Sequence, residues 1–105
     1  MHAIHIIKND ESLPSITPIE PGSNVYRSGY WAIAKTTADA LIGAKIHFHE
    51  QQTKPSFYGG IITGTEKIEQ GERAGRIVFT FRFDQSCKGV TTSRDGWSQE
   101  IKIIP

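Results

Sequence analysis

Cysteine is nearly absent. The 105 residues contain one, Cys87, so no disulfide can close within the chain, which fits a reducing compartment. Cys87 stands in the polar stretch Q-S-C-K-G with no histidine beside it. A thiolate needs an activating neighbour, so Cys87 reads as a loop thiol without a role. A long apolar run is also missing: none approaches the roughly 20 residues of a membrane helix. The opening M-H-A-I-H-I-I-K-N-D lacks the basic flank and long apolar stretch of a signal peptide. A cytoplasmic protein with no membrane contact is expected. Charge of one sign is missing too. Lys and Arg number 12 against 11 Asp and Glu, a net charge of +1. Chains that coat nucleic acid by charge alone carry a clear basic excess, so any such contact here is local. No catalytic triad and no paired carboxylates accompany the histidines. No reaction is fixed, and no cofactor is expected.

What is present suits one domain over residues 1–105 with one modest core. Residues 1–23 form an N-terminal strand and a proline-rich loop, and residues 24–105 the main body. Apolar and polar residues alternate at the period of a strand over residues 2–8, 24–34, 44–50, 58–65, 76–84 and 97–104. Pro14, Pro18 and Pro21 preclude a helix or a central strand before residue 24; Ile16 and Ile19 can pin that extended loop to the core. One short helix is expected over A-D-A-L-I-G. Thr36 or Thr37 would cap it, Asp39 would sit in its first turn, and Ala38, Leu41 and Ile42 would form its buried stripe before Gly43 ends it. Gly29 inside a strand predicts a bulge or a close backbone approach. Gly71 and Gly75 mark a hairpin. Ile77, Phe79, Phe81 and Phe83 share one strand face and should supply the aromatic core. Short connections favour antiparallel pairing, and a small sheet of many short strands tends to close and hide its edges. The fold class is therefore α+β: a small mixed, mostly antiparallel β-barrel with one short helix.

The stretch from Tyr30 to Gly60 concentrates the chemistry. It opens on S-G-Y-W, passes a helix ending in L-I-G and a strand carrying H-F-H, and closes on P-S-F-Y-G-G. This order of elements resembles the PUA-like superfamily, and within it the EVE and ASCH domains, over about residues 24–104. The first strand and the small size depart from that pattern. The resemblance implies binding of RNA or DNA, often at a modified base held between helix and barrel. The positions that match are Tyr30 and Trp31, Ser56 and Tyr58, and Trp97 near the end of the chain.

The residues also argue for themselves. Aromatic faces contribute roughly 1–3 kcal/mol per stacked base, and Tyr and Trp add a polar edge. Ser56 with Gly59 and Gly60 can bring backbone amides close to a ligand. Arg27, Lys54 and Arg94 are candidates for phosphate contacts, and the loop R-D-G-W-S at 94–98 could close over a pocket. His47 and His49 share a strand face and could line that pocket or grip a metal. A zinc site generally needs three or four ligands, and no third is evident: His2 and His5 lie far off and point to opposite faces of their own strand. No metal is therefore assigned. The expectation is a non-catalytic nucleic-acid or modified-nucleotide binding module. Two alternatives stay open: a small enzyme using His47 and His49, metal-dependent or acting on a modified nucleoside, and an accessory factor that binds a protein partner.

Overall fold

Alternation at period two fixes which face each strand buries, and in this chain it yields one sheet. The computed structural model describes residues 2–7, 17–19, 22–98 and 100–105. Its elements in chain order are β1 (Ala3–Ile7), β2 (Thr17–Pro18), β3 (Val25–Trp31), α1 (Lys35–Ala40), β4 (Lys45–His49), β5 (Tyr58–Lys67), β6 (Ile77–Phe83) and β7 (Ile101–Ile104), with a 3-10 turn over Gln85–Cys87. The strands form one sheet in the order β2-β3-β6-β5-β4-β1-β7. All pairs are antiparallel except β1 with β4. The α+β class and the six expected strands are all found. The seventh, β2, is a two-residue edge strand, a place where Pro18 is tolerated. The predicted end of the first strand at Lys8, together with Pro14, Ile16 and Pro21, lies outside the described residues. Ile19 is exposed and does not pin its loop to the core.

The inner face of the sheet carries the core. Ile4, Ile6, Ile46, Phe48, Ile62, Ile77, Phe79 and Phe81 are buried there, with Ala38 and Leu41 of α1 packed against them. Burying each large side chain contributes roughly 1.5–3 kcal/mol, so this cluster dominates stability. Phe83, expected in the core, is only half-buried. The helix departs from its expected form in three ways. Its N-cap is Ala34, with no side-chain cap. Asp39 lies beyond the first turn; it accepts from Lys35 Nζ at 2.6 Å and from the Thr65 hydroxyl. Ile42 is half exposed, because the helix ends at Ala40 before a further turn could bring it inward. Gly43 does follow with φ +90. Gly29 sits at a bulge in β3, and a Cβ there would meet Val78 Cγ2 at 2.8 Å. The β5–β6 hairpin turns through Gly71 and Gly75 as the sequence suggests.

The sheet does not close into a barrel. Among the described residues β7 is bonded only to β1, and β2 only to β3. These end strands have four and two residues. A seam is left between β7 and the far end of β3.

Candidate functional site

Three histidines meet on the outer face of the sheet. β1 and β4 run parallel with His5 opposite His47 and Ile7 opposite His49, and β7 places Lys102 opposite His5. Strand alternation therefore aims His5, His47, His49 and Lys102 to one side. The covering segment runs from the 3-10 turn through residue 98. It contributes Cys87, Trp97 and Ser93, whose carbonyl and hydroxyl accept from Lys102 Nζ at 2.8 and 3.0 Å. Under this cover His5, His47 and His49 are all buried. The rings of His5 and His47 stack with centroids 4.6 Å apart, and Trp97 stands edge-on to His5 and His49.

The hydrogen bonds fix the tautomers. A carbonyl oxygen only accepts, so His49 Nδ1 must carry a proton to donate to Lys54 O at 2.8 Å, and His47 Nδ1 a proton to donate to Cys87 O at 3.2 Å. The neutral His49 ring then offers Nε2 as an acceptor, and His5 Nδ1 donates to it at 2.7 Å. Burial holds all three rings neutral. It pushes His5 down to about 3, helped by the nearby His47, His49 and Lys102. It also lowers His47 and His49, against the opposing pull of their carbonyl partners.

His5 was expected to be an ordinary histidine remote from the pair; the in-register parallel pairing overturns that. The trio is nevertheless not arranged as ligands. His5 spends its Nδ1 proton on the only free lone pair of His49, and its ring lies flat against His47. Among the described residues no group of three His, Cys, Asp or Glu side chains is placed to hold a metal. Cys87, read from sequence as a loop thiol, is fully buried, and burial raises its thiol. Its carbonyl is shared by His47 and Ser56.

The other predicted residues are dispersed. Ser56 is buried, donating to Cys87 O at 2.6 Å and accepting from Val90 N at 3.0 Å. It fastens the covering segment to the sheet. Gly59, opposite His47, has no room for a ligand: a Cβ there would lie 2.1 Å from Ile46 O, and one on Gly60 2.0 Å from Arg82 O. The double glycine lets neighbouring strands approach. Tyr58 points to the inner face, stacked on Phe83 and edge-on to Tyr26; burial and the Tyr26 hydroxyl raise its phenol well above the usual range. Trp31 is buried in the core and donates Nε1–H to Ser28 Oγ at 3.0 Å. Tyr30 is exposed beneath the Arg73 guanidinium, 5.0 Å above its ring. Arg27 pairs with Glu66 at 3.3 Å, and Arg94 is exposed. Lys54 pairs with Glu50 at 3.6 Å. Of the twelve candidate residues, the side chains of His47, His49, Ser56 and Trp97, with Gly59, gather around one covered face; the others do not join them.

A second feature lies at the seam. A cleft of about 720 Å³ opens between the β3–α1 connection and β7. Ile33 and Arg76 form one side, and Gly96, Ser98 and Glu100 the other. Ile101 and Ile103 extend the inner face into it. The backbone positions these groups firmly. Glu100 O accepts from Ile7 N at 2.8 Å, Arg76 O from Ile68 N at 2.9 Å, and Ser98 exchanges both backbone bonds with Ile101. Among the described residues neither Arg76 nor Glu100 has an ion-pair partner. Trp97 lies in the chain between two cleft residues while its ring faces the histidines, and its buried Nε1–H has no acceptor among the described residues. Sequence reasoning expected the 94–98 loop to close over a pocket; of its residues, Gly96 and Ser98 line the cleft. It missed Arg76 and Glu100, because the seam they flank exists only through the strand order. Compared with models of protein families, curated proteins and solved structures, the chain matches none.

Proposed function

We propose that the protein is a non-catalytic binding module for a base of RNA or DNA, or for a nucleotide, and that the ligand seats in the seam cleft. The observation that carries this reading is the cleft itself. Its volume of about 720 Å³ falls in the range of small-molecule sites, and its lining sets three isoleucines among the polar groups of Arg76, Ser98 and Glu100. Isoleucine side chains offer the faces of a planar ring an apolar contact, and Arg76, Ser98 and Glu100 offer its edges hydrogen bonds. Arg94, exposed on the adjoining loop, is available to a phosphate. The order of elements that resembles the PUA-like superfamily supports the same reading, with this sheet an opened relative of that barrel.

The test is a titration with short RNA and DNA oligonucleotides, unmodified and base-modified, followed by tryptophan fluorescence at low and moderate salt. Binding that survives moderate salt is expected, since contacts made only to phosphate weaken steeply as salt rises. A change in tryptophan emission is expected on binding, because Trp31 and Trp97 each stand beside cleft-lining residues in the chain, Ala32 for the one and Gly96 and Ser98 for the other. No response to any oligonucleotide or nucleotide would sink the proposal.

A further inference from the structure

We infer that the base this cleft selects is guanine; the inference rests on the nucleotide reading above. A carboxylate is an acceptor with two oxygens side by side. Among the common bases only guanine presents two adjacent N–H donors, N1–H and the N2 amino group, that can meet both oxygens at once. Adenine and cytosine set a ring acceptor beside their amino group, and that lone pair would repel a carboxylate. Uracil and thymine flank their single N–H with carbonyls. Glu100 lines the cleft with an exposed side chain, unpaired among the described residues and carried on a backbone fixed by Ile7, and can turn such a carboxylate to a ring seated there. Arg76 supplies the complementary donors from the other side of the seam, and O6 with N7 of guanine is the pair of acceptors that an arginine fork fits best. A cation and an anion that line one cleft, neither ion-paired among the described residues, suit a ring with a donor edge and an acceptor edge. Ile33, Ile101 and Ile103 leave the ring faces in apolar contact.

The experiment measures affinities of GMP, IMP, AMP, CMP and UMP for the protein and for Glu100→Gln, Glu100→Ala and Arg76→Gln. All three variants alter exposed side chains, and circular dichroism checks that they fold. GMP is expected to bind about tenfold tighter than AMP or tighter still, the scale of one good bidentate contact. IMP, which lacks the N2 amino group, should fall between them. Glu100→Gln and Glu100→Ala should bring GMP to within about threefold of AMP, by weakening GMP and relieving the repulsion of AMP. A thymidine oligonucleotide with one internal guanine, run alongside, shows whether the guanine is taken from a strand or as a free nucleotide. Nucleotide binding without a guanine preference, or a preference that survives both Glu100 variants, overturns the inference and leaves the binding module standing. Binding of no nucleotide at all overturns both.

Discussion

His5 donates its Nδ1 proton to His49 Nε2 across 2.7 Å, between residues 44 positions apart in the chain. That bond, with the two carbonyl partners of His47 and His49, commits three buried imidazoles to their neutral forms. The covered outer face thus has a defined protonation state, and a cost follows when that state is challenged.

The first prediction is a loss of stability in mild acid. His5 titrates near 3 in the fold and near 6.5 when unfolded. Between those values the unfolded chain binds a proton that the folded chain refuses. The stabilisation is therefore complete above about pH 6.5 and is lost as pH falls toward 3. For His5 alone the loss from pH 7.5 to 5 is about 2 kcal/mol; His47 and His49, lowered in the same direction, add to it. Urea unfolding at several pH values measures this. His5→Phe should flatten the decline, and a flat wild-type profile over that window would contradict the buried neutral cluster.

A second prediction concerns the double glycine. In Gly59→Ala and Gly60→Ala the new Cβ meets a strand carbonyl at 2.1 and 2.0 Å, and a backbone carbonyl in a ladder cannot move aside alone. Each variant should lose about 3 kcal/mol, the upper end of the usual cost of overpacking. Gly64→Ala is the control: the nearest atom is Thr80 Cβ at 3.9 Å, so its melting temperature should stay within a few degrees.

The aromatic core gives a third. Phe79→Ala and Phe81→Ala each empty a fully buried site and should cost about 3–5 kcal/mol, a large share of the stability of a domain this size. Phe57→Ala, at an exposed position, should change stability by about 0.5 kcal/mol or less. Equal effects at the two kinds of site would mean that the inner face is misassigned.

Ser56→Ala supplies a fourth. Its hydroxyl joins Cys87 O and Val90 N, and its removal leaves a buried amide short of a partner, at about 1–3 kcal/mol. Hydrogen exchange should rise first at Val90 and along residues 85–98. Unchanged exchange there would show that the covering segment is held by other contacts.

Much of this architecture is legible locally. The alternation in I-V-F-T-F-R-F marks β6 and its inward phenylalanines, and H-F-H puts His47 and His49 on one face opposite Ile46 and Phe48. Gly29 and the Gly71–Gly75 turn announce a bulge and a hairpin. What local pattern could not supply is the partner of β1. Short connections favour antiparallel neighbours, yet β1 pairs in parallel with β4 across some forty residues, and that single choice moves His5 from an isolated position into the cluster. The same strand order leaves the seam, and with it the cleft flanked by Arg76 and Glu100. Trp31 illustrates the other limit: its alternation is correct, but whether an aromatic on a strand end packs inward or meets a ligand depends on how the sheet curls. The signal that could have suggested the histidine cluster is the match between H-I-I in β1 and H-F-H in β4, which place histidine and apolar residues in the same phase.

The position of β1 between β4 and β7 also sets an order of events. The β5–β6 hairpin can form from neighbouring segments alone, whereas β1 must wait for residues 45–49 on one side and 101–104 on the other. Contacts between such distant segments form slowly, because the intervening chain must first give up its freedom. The first strand of the chain is thus among the last to be fixed. Until it docks, His47 lacks the His5 ring that stacks on it, and His49 lacks the donor to its Nε2. The docking of β1 completes the histidine cluster, so in refolding below about pH 6.5 the proton that His5 gives up marks that step.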